Sequence, residues 1–116
     1  MYSSPLTSPP SLREFRAHFQ ALASITRLRI LQYLAGAPQT TVQDLADALG
    51  LSQPRLSWHL RMLRRGHLVI AKRSGRAVYC SLNREAIHAF QRELSSLMAP
   101  RPKVRALNER SEVYLR

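Results

Sequence analysis

A mainly α-helical domain carrying one small β-hairpin is the fold that this 116-residue sequence predicts. Three observations carry that expectation. Large apolar residues recur at helical spacing in successive segments, most of them opened by a Ser, Thr or Asn able to cap a helix. Two of these segments, "VQDLADAL" and "QPRLSWHLRMLRR", are separated only by "GLS", the interval of a helix-turn-helix. After Gly66 the period changes from helical to extended, in "HLVIAKR" and "RAVYCSL". The expected order is four helices, a two-stranded hairpin and a fifth helix, enough for one modest core.

Each element has a local reason. Residues 1–10 are Ser- and Pro-rich and read as a disordered arm. Ser11 and Glu14 have capping-box spacing, so a first helix is expected at about 12–23, with Leu12, Phe15, Phe19 and Leu22 at helical intervals. Thr26 can cap a second helix, apolar almost all round at Leu28, Ile30, Leu31 and Leu34, and ended by Gly36 and Pro38. That pattern predicts a central buried helix. Thr41 and Asp44 form another capping box before two turns closed by Gly50. Ser52 caps the fourth helix, which stops at Gly66. Ser74-Gly75 is a two-residue hairpin signal between the strand-like runs. Asn83 caps the last helix, where Ile87, Phe90, Leu94 and Leu97 make one stripe. The domain therefore spans 11–98, followed by a polar, basic tail at 99–116 that is expected to be largely disordered.

Charge narrows the function. Eighteen Lys and Arg against seven Asp and Glu give a net +11, which favours a polyanionic partner, either nucleic acid or an anionic membrane surface. Between Asp47 and Glu85 there is no acid at all, while Arg55, Arg61, Arg64, Arg65, Lys72, Arg73, Arg76 and Arg84 all fall there. A solvated face normally mixes signs, because like charges on adjacent turns repel. No apolar run approaches the roughly 20 residues that span a bilayer, so a membrane partner is not expected. The N-terminus lacks a basic region followed by an apolar one, so no secretory signal is expected and a cytoplasmic location follows by default. The single cysteine, Cys80, excludes an intramolecular disulfide and CxxC chemistry.

Placed at 100° per residue, the fourth helix gathers Leu56, Leu60 and Leu63 on one side. Pro54, Ser57, Trp58, Arg61 and Arg65 fall opposite, with Gln53 and Arg55 in the first turn. The major groove of B-DNA admits one such helix, where Gln can read adenine and Arg guanine. Trp58 can pack on sugars or thymine methyls, or cover the helix against a neighbour. His59, counted among the DNA-facing residues, lies on the flank of the leucine face, where a structural role is the stronger reading. The hairpin tip adds Lys72, Arg73, Ser74 and Arg76, placed to reach phosphates or the minor groove. Double-stranded DNA is the expected partner. Phe15, Phe19 and Leu22 with Ile87, Phe90, Leu94 and Leu97 offer more apolar edge than a small monomer covers, and predict a homodimer interface.

In order and spacing, "SITRLRILQYL", "LADALGLSQPRLSWHLRMLRRGHLV" and "SGRAVYCSL" resemble the ArsR/SmtB family of bacterial winged helix-turn-helix regulators, over about residues 15–97. The resemblance implies a dimer built from the first and last helices. It also implies a palindromic operator, released when an effector binds; the sequence names no effector. Two departures stand out. Where metal-sensing members carry "CVC" before "DL", this chain has Thr41, Val42 and Gln43 before Asp44-Leu45. Where others use Asp and His early in the last helix and His and Glu late, it has Arg84 and Ala86, then Leu97 and Pro100. Glu85 and His88 are one turn apart and read as a solvated face. Cys80 stands where a second tyrosine is frequent, and one thiol per chain makes no dithiol switch.

No metal site of the family's usual kind and no cofactor are therefore expected. No nucleophile–base pair, paired carboxylates or phosphate-binding glycine loop points to an enzyme. The alternative to a sequence-specific repressor is an architectural or protein-interaction winged helix with little sequence preference. Gln53 and Ser57 among the cations favour the repressor.

Overall fold

A computed structural model describes residues 9–102; most of the expected N-terminal arm and C-terminal tail lies outside the described residues. The elements are α1 (Leu12–Leu22), α2 (Ile25–Gly36), β1 (Thr40–Thr41), α3 (Val42–Leu49), α4 (Gln53–Arg65), β2 (Val69–Ser74), β3 (Ala77–Leu82) and α5 (Arg84–Leu97). Caps explain most boundaries. Ser11 and Glu14 complete a reciprocal capping box on α1. Thr41, Ser52 and Asn83 each accept the N3 backbone N–H of α3, α4 and α5.

Three expectations need correcting. The cap of α2 is Ser24, whose Oγ accepts from the Arg27 N–H at 3.2 Å; only Ala23 and Ser24 separate the two helices, so Thr26 falls inside the first turn. Nor is α2 buried all round: Ile30 and Leu34 are in the core, but Ile25 and Leu28 are exposed. The sheet has three strands, ordered β1-β3-β2, because Thr40 and Thr41 pair antiparallel with Cys80 and Tyr79. This short strand satisfies part of a β3 edge that would otherwise present unpaired backbone groups. In the hairpin Ser74 pairs with Ala77, which puts the two-residue turn at Gly75-Arg76, one residue later than expected. Gly75 at φ 62° takes the first turn position, which in a type II′ turn calls for glycine.

The core lies where α2, α3, α4 and the base of the hairpin meet, around Ile30, Leu34, Leu45, Leu56, Leu63 and Val69. Each such side chain contributes about 1.5–3 kcal/mol on burial. This packing holds α3 and α4 as a rigid pair. Gly50 makes the turn between them in the left-handed region (φ 65°), and the Leu51 N–H bonds to the Ala46 carbonyl at 3.0 Å.

At the other end of α4, Gly66 serves a different purpose. Its φ of −85° suits any residue, but a Cβ there would stand 2.9 Å from Ala21 Cβ and 3.1 Å from the Ala17 carbonyl oxygen. Glycine lets α1 lie against the end of α4. The left-handed position passes to His67 (φ 60°), and the Leu68 N–H closes the helix end on the Leu63 carbonyl at 2.9 Å.

Candidate nucleic-acid interface

With its leucine side in the core, α4 exposes Gln53, Pro54, Arg55, Ser57, Trp58, Arg61, Arg64 and Arg65. The hairpin exposes Lys72, Arg73, Ser74 and Arg76. Between them runs an open groove of about 660 Å³, walled by Gln43, Gln53, Ser57, Arg61, Arg64 and Arg76. Among the described residues no Lys or Arg has a carboxylate within ion-pair distance; the one ion pair joins His67 to Glu14, at 3.7 Å. The cations on α4 and the hairpin are thus left without ion-pair partners among the described residues, which suits a polyanionic ligand.

One expected DNA-facing residue is corrected. His59 is buried, 9% exposed, and its Nδ1 lies 3.3 Å from the Arg27 guanidinium. Arginine only donates, so Nδ1 accepts and the proton sits on Nε2. Arg27 of α2 holds the ring, and only its edge reaches the surface beside Pro54, Arg55 and Trp58, so the structural role is the stronger one.

Arg27 is the residue that periodicity missed. It is 7% exposed and has no carboxylate partner among the described residues. Its Nε donates to the Ala21 carbonyl at 2.8 Å and its Nη2 to the Gln20 carbonyl at 3.1 Å. These are end carbonyls of α1, whose last turn holds no cation of its own. The partial negative charge of a helix C-terminus thus offsets a buried positive one. The guanidinium also lies 5.5 Å from the Trp58 ring centre, within cation–π range. Trp58 remains 48% exposed. Part of it covers a neighbour and part is free for a ligand, so both roles weighed from sequence have a physical basis. In the sequence Arg27 is one of two arginines in α2, and nothing in the pattern separates it from the exposed Arg29.

His18 is a second buried imidazole. Its Nδ1 donates to the Gly66 carbonyl at 2.7 Å, and its ring stacks on Phe90 at 4.0 Å. Burial pushes His18 below the ordinary histidine value of 6.5; the Gly66 bond opposes this and His67 adds to it. Burial also lowers His59, helped by the charges of Arg27 and Arg55. Both are therefore harder to protonate folded than unfolded. As pH falls below about 6.5, the unfolded chain takes up protons that the fold refuses, and stability declines. The denaturant midpoint should thus be lower at pH 5.5 than at 7.5 with an unchanged slope; a midpoint that rose on acidification would contradict the assignment.

Of the apolar edge expected to make a dimer, Phe19 and Leu97 are exposed and Leu22, Ile87 and Leu94 half-buried. All of these but Leu97 border a groove of about 330 Å³ between α1 and α5. Phe15 and Phe90 are corrected: at 7% and 1% exposure they belong to the protomer's own interior, where their rings meet edge to face at 5.5 Å.

A family model described as "Bacterial regulatory protein, arsR family" matches residues 24–71. The chain is 32% identical over 87 residues to the arsenical resistance operon repressor of Bacillus subtilis, covering 75% of this chain and 83% of that one. The chain belongs to the ArsR family. It is also 41% identical over 80 residues to an HTH-type transcriptional regulator of Mycobacterium tuberculosis, covering 69% of this chain and spanning 65% of the relative's length. A solved homodimeric winged helix-turn-helix DNA-binding domain of Mycobacterium bovis, a possible ArsR-family regulator, superposes with a TM-score of 0.62 at 26% identity. That match covers 80% of this chain and 88% of the other. The fold is accordingly a winged helix-turn-helix, with α3 and α4 as its helix pair and β2–β3 as its wing, and these relatives are regulators rather than enzymes.

The positions where ArsR-family resemblance would seek metal ligands hold other chemistry here. Thr41 and Gln43 line the α4–wing groove. On α5 Arg84 is exposed and Ala86 buried. Among the described residues no three His, Cys, Asp or Glu side chains cluster. Cys80 is 1% exposed, and burial raises its thiol above the ordinary value against a weaker opposing pull from Arg64. A thiol held protonated is a poor nucleophile and ligand.

Proposed function

We propose that the protein is a homodimeric, sequence-specific DNA-binding repressor acting on a palindromic operator. The observation that carries this is the acid-free face of α4 set beside an equally basic wing across one open groove. In this reading α4 enters the major groove, with Gln53, Ser57 and Arg61 supplying base readers. Lys72, Arg73 and Arg76 hold flanking backbone or minor groove. The half-open α1–α5 groove, edged by Phe19, Leu22, Ile87 and Leu94, is covered by the second copy together with the exposed Leu97. Kinship with an arsenical resistance repressor and likeness to a homodimeric DNA-binding domain support it.

Selection of bound sequences from random duplexes tests the reading. A palindrome whose half-sites lie about one DNA turn apart, roughly 34–36 Å, is expected. Arg73→Ala and Arg76→Ala should weaken all DNA alike and reduce the salt slope by about one per lost phosphate contact. Ser57→Ala or Arg61→Ala should cost ~1–3 kcal/mol on the operator and little on random DNA. If no motif emerges and all four variants act equally on any sequence, the protein is an architectural binder instead. Operator affinity should change by less than about threefold with Zn, Ni, Cd or arsenite, under ~0.7 kcal/mol of coupling. A tenfold loss at one metal per chain would contradict that expectation.

A further inference from the structure

The first residue of α4 does not stand alone. Gln53 Nε2 donates to Gln43 Oε1 at 2.7 Å, and Gln43 Nε2 donates to Asp47 Oδ1 at 3.1 Å. Gln43 and Asp47 are one turn apart on α3, and Gln43, Gln53, Ser57 and Arg61 border the same groove. Glutamine oxygen and nitrogen are interchangeable by a flip, so direction in such a chain needs a reason. Asp47 supplies it. An ionised carboxylate only accepts, so Gln43 must turn its nitrogen to Asp47. Its oxygen then faces Gln53, and only an N–H can answer it. The polarity of Gln53 is thus set from the neighbouring helix.

We infer that Gln43 is a specificity-determining residue of the DNA interface: backed by Asp47, it locks the Gln53 amide in the orientation that reads adenine. This rests on the reading of α4 as the recognition helix. With one N–H committed to Gln43, Gln53 keeps one donor and its oxygen as acceptor. Adenine presents the complement in the major groove, N7 accepting and the N6 amino group donating. Guanine presents two acceptors there. A free glutamine can turn its amino group toward both; an anchored one would set its oxygen against O6. Anchoring also removes, before binding, part of the rotamer freedom that the side chain would otherwise lose. All three side chains are exposed, so the chain of bonds is weak in water and strengthens as DNA excludes it.

The test is selection from random duplexes with the wild type, Gln53→Ala, Gln43→Ala and Gln43→Glu. Loss of one preference in Gln53→Ala identifies the base pair it reads, expected to be an adenine in each half-site. Gln43→Ala should reduce the adenine preference at that position by on the order of tenfold, with the preferences at other positions retained. Gln43→Glu keeps an acceptor facing Gln53 and should retain the preference even if overall affinity falls. An adenine preference that survives Gln43→Ala intact, or a loss spread equally over all positions, overturns the relay alone. A wild type that selects no motif overturns the recognition-helix reading, and the relay with it.

Discussion

Phe90→Ala is expected to destabilise the protein by about 3–5 kcal/mol, the range for removing a buried aromatic ring. The ring is 1% exposed, stacks on His18, and meets Phe15 edge to face. Such aromatic contacts add about 0.5–1.5 kcal/mol beyond the area they bury. Because Phe90 is the only fully buried large side chain of α5, its loss also loosens the seat of the helix expected to carry half of the dimer interface. The measurement is the denaturant midpoint at fixed protein concentration, since association contributes to apparent stability. Phe19→Ala and Leu97→Ala, at exposed positions, should act on association and little on the protomer. Should Phe90→Ala prevent folding, Phe90→Leu keeps most of the volume and should cost clearly less. A loss under about 1 kcal/mol would mean the site can collapse around the gap.

Arg27→Met is expected to cost about 2–3 kcal/mol, and two effects compete in it. Removing a guanidinium relieves the desolvation of a buried charge, worth several kcal/mol before pairing. Against this, the Ala21 carbonyl and His59 Nδ1 lose their bond to Arg27, at about 1–3 kcal/mol each, while the Gln20 carbonyl keeps the Ala23 N–H. Methionine retains the apolar stem, so packing changes least. The balance is destabilising because the guanidinium's charge is met by α1 carbonyls in good geometry. Trp58, the sole tryptophan, should report the loss of the cation beside its ring as a shift in fluorescence. Arg27→Lys should fall between, since one ammonium lacks the fork that reaches three acceptors. Equal stability of Arg27→Met and wild type would show that burying the charge costs as much as its bonds return.

Most of the candidate site was legible because it is written in local code. The leucine side of α4 is separated from its basic side by helical periodicity alone, and Ser52 and Gly50 mark its approach. What misled was always a neighbour. His59 falls on the border of the leucine stripe, where a rotation of a few tens of degrees decides between groove and core; α2 decided for the core. Phe15 and Phe90 read as a spare apolar edge because periodicity says which residues share a face and not what covers it.

By itself the sequence determined the order of the five helices and the hairpin, the caps of α1, α3, α4 and α5, the acid-free basic run and the absence of the family's thiolate pair, all properties of spacing within one segment or of composition. The tertiary structure alone decided that Arg27 belongs inside, that Gly66 answers a close approach by α1, that Thr40–Thr41 becomes a third strand, and that Gln43 and Asp47 stand behind Gln53. Each depends on distances between groups from different elements. A pattern along one chain segment carries no term for those distances, which exist only once the helices have packed.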